Sequence, residues 1–229
     1  MKKSFLRITL LAVGFGVFVS SSSWAALVTW DLNPGNLNAS AGSSSLNYTV
    51  SGSTITARGF DNTGSAPAPL DLFYKMVGPI NGAVERGLGV TGTYDNELET
   101  KSNGTPAQFI QLDLRSILAQ GFMGGQLSVG SVQAGESFLL FGSNARGTLG
   151  SQIGTAFGNG FDDNFVDIAN FGSFQFISVA AGTGDVLPVA FRALAPVPEM
   201  NALLPIVGLV IAVGSTQILR RRRSAQLSA

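Results

Sequence analysis

The sequence contains neither cysteine nor histidine among its 229 residues. Without cysteine there is no disulfide framework and no thiolate nucleophile. Without histidine the chain lacks the side chain that most often transfers protons near neutral pH. Together these absences exclude Ser-His-Asp and Cys-His catalysis and the common transition-metal sites. A body of about 170 residues can still bury a core without disulfides or metals.

Charge is also scarce, because Asp, Glu, Lys and Arg make up only 12% of the chain. Half of the 14 basic residues lie near the two ends, namely Lys2, Lys3, Arg7, Arg220, Arg221, Arg222 and Arg223. Residues 26–198 contain seven basic and 13 acidic residues, so their formal charge is near −6, seven minus 13. Such an acidic body repels phosphate backbones, and we expect no nucleic-acid partner.

The first 25 residues are typical of a secretory signal peptide. A basic start precedes an apolar core of 12 residues (8–19), which is short for a membrane span. A serine run follows, and Ser23 and Ala25 then place small residues at the −3 and −1 positions. We expect signal peptidase to cleave between Ala25 and Ala26. The alternative is an uncleaved membrane anchor, against which the serine run and the small residues argue.

The C-terminus has three consecutive parts. A short marker, Val197, Pro198, Glu199 and Met200, is followed by an 18-residue stretch without charge (202–219). That length is at the lower end of what spans a bilayer as a helix. The basic block Arg220, Arg221, Arg222 and Arg223 comes next and is expected to stay cytoplasmic, together with residues 224–229. A plain, permanent transmembrane anchor is the alternative interpretation.

This tripartite segment, residues 195–223, resembles the PEP-CTERM sorting signal, in a variant where Met200 stands in place of the usual second proline. The resemblance implies recognition by an exosortase-type transpeptidase and cleavage near Pro198 and Glu199. It also implies passage through the inner membrane by way of the apolar helix, and then release or attachment at the cell surface. Proteins with this signal come from Gram-negative bacteria that make exopolysaccharide, often in biofilms.

Short apolar runs separated by Gly, Asn, Ser and Pro dominate the body and favour strands over helices. We predict nine strands, at residues 27–32, 46–50, 54–60, 70–76, 108–114, 125–132, 137–142, 173–180 and 186–193. One helical turn is expected at 115–120, ended by Gly121. The pattern predicts an all-β fold, a single β-sandwich of jelly-roll type over residues 26–194.

A weaker resemblance lies inside the body. Residues 85–90 (Glu-Arg-Gly-Leu-Gly-Val), then 95–98 (Asp-Asn-Glu-Leu) and the later Leu-Asp-Leu at 112–114 resemble a pattern of PEP-CTERM ectodomains. This resemblance implies that the body shares the sandwich fold of those ectodomains.

Residues 87–92 also match G-x-G-x-x-G by letters, but a turn rather than a helix is predicted after them, which argues against a dinucleotide site.

Two short segments gather oxygen ligands of the kind that calcium prefers. One holds Asp95, Asn96, Glu97 and Glu99, and the other holds Asp162, Asp163, Asn164 and Asp167. Neither has EF-hand spacing. Solvated acidic loops are the alternative, so a structural Ca²⁺ is an expectation for at least one of them, and no other cofactor is expected.

These observations predict an exported, non-enzymatic surface or matrix protein, structural or glycan-binding, with exopolysaccharide as a partner. Trp30, Tyr48, Tyr74 and Tyr94 are the candidates for stacking on sugar rings, although Trp30 lies on the first predicted strand and is expected in the core. The alternatives are a secreted hydrolase of polysaccharide that uses paired Asp or Glu residues, and a permanently anchored envelope protein.

Overall fold

The computed structural model describes residues 25–76, 85–93, 95–196 and 216. In chain order its strands are β1 Leu27–Asp31, β2 Ala39–Ser40, β3 Ser45–Val50, β4 Ser53–Asp61, β5 Ala68–Leu70, β6 Leu72–Met76, β7 Arg86–Val90, β8 Leu98–Glu99, β9 Gln108–Asp113, β10 Met123–Gly130, β11 Ser137–Ser143, β12 Ser151–Gln152, β13 Phe157–Gly158, β14 Phe165–Asp167, β15 Phe176–Thr183 and β16 Asp185–Leu194. One short helix, α1 (Arg115–Ala119), and a 3-10 turn at Asn159–Phe161 complete the described structure.

The strands form three antiparallel sheets. A five-stranded sheet has the order β1-β16-β10-β14, with β8 also paired to β16. An eight-stranded sheet has the order β12-β11-β15-β9-β4-β3, with β13 and β5 attached at its sides. The third sheet, β2-β6-β7, has three strands. The first and last strands of the body are neighbours, since Leu27 lies opposite Leu194.

One apolar core joins the three sheets. Fully buried Trp30, Ile55 and Leu72, each from a different sheet, belong to the same packed cluster. A smaller cluster of Phe60, Phe109, Phe141 and Ala180 lies apart from it on the eight-stranded sheet. The central strands of that sheet therefore have contacts on both faces, which explains why all six residues of β9 and the first six of β15 are buried.

The all-β prediction is confirmed, because each of the nine predicted strands overlaps an observed one and α1 lies at the predicted turn. Gly121 follows that helix with a φ of +84°. The sequence pattern did not indicate the shortest strands or β7, whose glycines hide the strand pattern. Pro69 lies on β5, which pairs only with β4 and so lies at an edge where proline is tolerated.

The predicted signal peptide before Ala25 and the sorting segment after Pro196 lie outside the described residues, apart from Thr216. Among the residues that are described, none belongs to a helix with the length and apolar character needed to cross a bilayer.

Candidate functional site

Lys75 and Glu97 are the two most buried charged side chains of the described residues, 1% and 2% exposed. Lys75 lies on β6, and Glu97 lies in the loop between β7 and β8. The Lys75 ammonium donates to Oε1 of Glu97 and, at 2.6 Å, to Oδ2 of Asp95. Its Nζ is also 2.9 Å from Oε2 of Glu85. We call these four residues the Lys75 cluster.

Two glycines of β7 make this arrangement possible. Gly87 lies opposite Lys75 in the β6–β7 pair, and Gly89 is two residues further along β7. The loop returns so close to β7 that a Cβ atom on Gly89 would lie 1.7 Å from the carbonyl oxygen of Asn96. The same carbonyl accepts a hydrogen bond of 3.2 Å from Val90. The loop can therefore press its acidic residues against Lys75 only because residue 89 has no side chain.

The charges of the Lys75 cluster do not balance, since three carboxylates surround one ammonium. Burial raises the pKa of Glu97 to about 7, although the hydrogen bond and charge of Lys75 act in the opposite direction. Burial alone would lower the pKa of Lys75, but the hydrogen bonds that its ammonium donates to Asp95, Glu85 and Glu97 raise that pKa above its ordinary value. Lys75 is thus cationic at neutral pH, while Glu97 retains a large share of one proton.

Oε2 of Glu97 is buried and has no hydrogen-bond partner among the described residues. Ser131 contributes a bond of 3.3 Å to the other oxygen, Oε1. A buried carboxylate oxygen without a partner is costly when it carries charge. This oxygen is therefore a physical reason for the raised pKa and a point where a second cation could bind.

The first predicted calcium segment is part of this cluster. Glu85, Asp95 and Glu97 have ligand oxygens within 4.8 Å of one another, and they are the only such carboxylate group among the described residues. Asn96 instead uses its backbone carbonyl to hold the loop, and Glu99 lies on β8 with its N–H bonded to Gln108. The Lys75 ammonium occupies the point at which a bound ion would contact these three carboxylates. Calcium binding at this cluster therefore stays a prediction.

The second predicted segment serves to attach β14. Asp162 accepts the backbone N–H of Val132 at 3.0 Å, and Asp167 accepts the side-chain amide of Gln126 at 2.6 Å. Asp163 has a φ of +54°, and burial, followed by the charge of Asp162, raises its pKa. These carboxylates do not converge on one point, because Asp162 bonds to Val132 and Asp167 bonds to Gln126, at separate places along the same polypeptide.

A carboxylate pair that no sequence pattern indicated is formed by Glu136 and Asp185. Burial raises the pKa of Glu136 to about 7, and the hydrogen bond and charge of Asp185 add to the effect, opposed by the backbone N–H of Gln133. The charge of Asp185 also raises the pKa of Glu97. Glu136 and Asp185 are far apart in sequence, so no local pattern could have indicated the pair.

These two raised pKa values predict a stability that falls as pH rises. The folded state keeps protons on Glu97 and Glu136 up to about pH 7, whereas the unfolded chain releases them near the ordinary value of 4.5. Their stabilising contribution is complete below that ordinary value and is lost as the pH rises through the folded-state pKa. Urea unfolding at about pH 5 and about pH 7.5 should therefore give a smaller free energy of unfolding at the higher pH.

Glu97→Gln combined with Glu136→Gln should remove most of this slope, because neither amide titrates. Asp71→Asn is the control, since Asp71 is exposed and its carboxylate has no part in either group. A double variant with an unchanged slope would contradict the assignment. Asp113 does not obscure the result: burial would raise its pKa, but Arg115 and Arg58 lower it, so its effect lies at more acidic pH.

The aromatic residues considered for sugar stacking are not a surface platform. Trp30 is fully buried, as expected from its strand, and its indole N–H donates to the carbonyl of Ser53 at 3.0 Å. Tyr48 is 6% exposed and its hydroxyl donates to Leu32, which corrects its assignment as an exposed candidate. Tyr74 is partly buried against the same core, and Tyr94 lies outside the described residues.

The glycine motif at 87–92 does not have the strand-loop-helix arrangement of a dinucleotide site, because β7 ends at Val90 in a turn and the next element among the described residues is β8. No family model matches the chain, and the comparisons with curated proteins and with solved structures likewise gave no match.

Proposed function

We propose that this chain is an exported cell-surface or extracellular-matrix protein, sorted by an exosortase-type system, whose β-rich body is a structural or glycan-binding module rather than an enzyme. The observation that carries the proposal is the pairing of the first and last strands. β1 and β16 are antiparallel neighbours, and their pairing begins with Leu27 opposite Leu194. Just beyond it, the N–H of Ala195 donates to the carbonyl of Ala26 at 2.8 Å.

This pairing supports two removable terminal segments. The described sheets need no residue before Ala26 and none after Pro196, so cleavage at the expected signal site and near Pro198 breaks no strand. Both segments leave the body at the same end of the five-stranded sheet. An anchor in the apolar segment 202–219 would hold the body by that end until processing releases it.

Among the described residues, the carboxyl groups with a pKa near 7 are placed as structural contacts, which supports a non-enzymatic body, and Glu136 is hydrogen-bonded directly to Asp185 rather than facing it across a cleft. Glycoside hydrolysis requires two carboxyl groups facing each other across a substrate cleft. Glu97, whose pKa would suit a general acid, is 2% exposed and faces Lys75. A perturbed pKa of this kind also arises in structural ion clusters, and here the contacts favour that explanation.

A jelly-roll sandwich is the finer fold that we propose for the body.

The test is the intact mass of the protein recovered from the cells and the medium of its own host. The expected species begins at Ala26 and ends near Pro198 or Glu199. A variant with Glu199→Gln and with glutamine in place of the four arginines at 220–223 should escape cleavage and keep its C-terminal tail. The control is Asp71→Asn, an exposed change in the body that should leave processing unchanged. Protein that reaches Ala229 and is found only in membranes would overturn the sorting proposal in favour of a permanent anchor.

A further inference from the structure

A pocket of about 230 Å³ lies on the eight-stranded sheet, beside the smaller aromatic cluster. It is formed by β4, the start of β3, β5 and the loop after β11, and its wall includes Ser44, Ser45, Arg58, Phe60, Pro69 and Arg146. Both charged residues of this wall are arginines, although residues 26–198 have only seven basic residues against 13 acidic ones. The pocket is thus a local positive site on an acidic body.

Arg146 is presented by an ordered loop. The fully buried side chain of Gln111 accepts the N–H of Gly147 at 2.8 Å and donates to the carbonyl of Thr148 at 2.9 Å. Gly147 has a φ of +75° and passes so close to Phe60 that an added Cβ would lie 3.2 Å from the ring. The loop therefore holds the backbone of Arg146 at the pocket rim.

The guanidinium of Arg146 is exposed and has no ion pair or hydrogen bond with any described residue. Most other basic side chains of the body are occupied: Lys75 by its cluster, Arg86 by Asp31, and Arg115 by Asp113. An unpaired arginine at a pocket rim is suited to bind an oxyanion through two parallel N–H donors.

Arg58 also lines this pocket and contributes a second positive charge. Its Nη1 is 3.2 Å from Oδ2 of Asp113, but Asp113 is also bound by Arg115 through two bonds of 3.0 and 2.8 Å. Two arginines and one aspartate leave this group with a net charge of +1. Arg58 therefore retains donors for a ligand, and Asp113 does not neutralise the pocket.

The remaining wall fits a sugar better than a bare ion. Pro69 and the small exposed part of Phe60 offer an apolar surface, and the serines offer hydroxyl groups that can exchange hydrogen bonds with those of a ring. The volume lies below the roughly 300 Å³ at which pockets for drug-sized ligands begin, which suits one sugar unit. A second pocket of about 240 Å³ carries Asp31 and no basic residue, so it offers no such attraction for an anion.

We propose that the pocket between Arg58 and Arg146 binds the carboxylate of a uronic acid unit in an acidic polysaccharide. This inference rests on the glycan-binding form of the proposed function and specifies its ligand class. Arg146 and Arg58 bind the carboxylate from two sides, and Pro69 and Phe60 support the apolar face of the ring. Because the interaction is a charge pair at the surface, it weakens as salt concentration rises.

The test measures binding of the protein purified from its host to oligogalacturonate and, as a neutral comparison, to a galactan of similar length. We expect binding to oligogalacturonate that weakens with salt, and a loss of about tenfold or more in Arg146→Gln, equivalent to about 1.4 kcal/mol. Arg192→Gln is the matched control, because it removes the same charge from β16 of the other sheet and should change binding less than twofold. Circular dichroism of each variant checks folding.

Equal binding of the acidic and neutral glycans, with no effect of Arg146→Gln, would overturn the assignment of this pocket as a uronic acid site. It would leave the glycan-binding form of the proposed function intact. Binding to the host's own exopolysaccharide that does not depend on Arg146 would have the same meaning. If the protein binds none of these polysaccharides, the pocket inference and the glycan-binding form both fail. The export and sorting proposal is unaffected by that result, because the intact mass tests it separately.

Discussion

Lys75→Met should lower the free energy of unfolding by about 3–5 kcal/mol near pH 7.5, the range found when one partner of a buried ion pair is removed. The variant preserves much of the side-chain volume but leaves the carboxylates of Glu85, Asp95 and Glu97 without their shared cation. Urea unfolding measures the loss. The loss should be smaller near pH 5, because the carboxyl groups can then take up protons.

Lys101→Met is the matched control, because Lys101 is the other lysine of the body and its ammonium contacts only the backbone carbonyl of Asn62 among the described residues. Its loss should stay near 1–2 kcal/mol, the contribution of one charged hydrogen bond. Adding Glu97→Gln to Lys75→Met should recover part of the stability, since it removes the most buried negative charge. Equal losses in the two lysine variants would refute the role of the cluster.

Lys75→Met also tests the calcium prediction. With the ammonium gone, the three carboxylates are free to bind a divalent cation. At a Kd near 1 mM, typical of extracellular modules, about 10 mM Ca²⁺ should restore roughly 1.4 kcal/mol to Lys75→Met. A wild-type protein that gains as much would show that calcium binds beside Lys75, at the unpartnered Oε2 of Glu97 for example. No gain in either protein would remove calcium from this site.

Gly89→Ala should destabilise the protein by about 3 kcal/mol or more, at the upper end of what overpacking costs. The added Cβ would meet the carbonyl of Asn96 at 1.7 Å and the side chain of Leu187 at 3.1 Å. A backbone atom cannot rotate away, so the loop that carries Asp95 and Glu97 has to move. We expect a lower midpoint of urea unfolding and a weaker pH slope, because Glu97 becomes more exposed.

Gly160→Ala is the control for this change. An added Cβ at Gly160 has no atom within 4 Å, and the residue does not have a positive φ. Its effect should stay within about 0.5 kcal/mol, as for surface substitutions without a special contact. If the two variants had similar stability, the loop would not lie against β7 as described.

The candidate site was partly predictable. The acidic run from Asp95 to Glu99 was identified because its oxygen ligands are adjacent in sequence. Its partner Lys75 was not, because β6 and this loop are brought together by the β6–β7 pairing and the close approach at Gly89. The Glu136–Asp185 pair and the Arg58–Arg146 pocket were missed for the same reason, since each joins residues from distant parts of the chain.

The sequence by itself determined the all-β class, the main strands and the one helical turn, because alternation of apolar residues and the backbone freedom of glycine act over a few residues. It also determined which catalytic chemistries are excluded, since an absent side chain is absent in any fold. Only the tertiary structure decided that Lys75 pairs with the acidic loop and that Tyr48 lies in the core. It alone paired the two ends of the body, because charge contacts and burial depend on which strands meet.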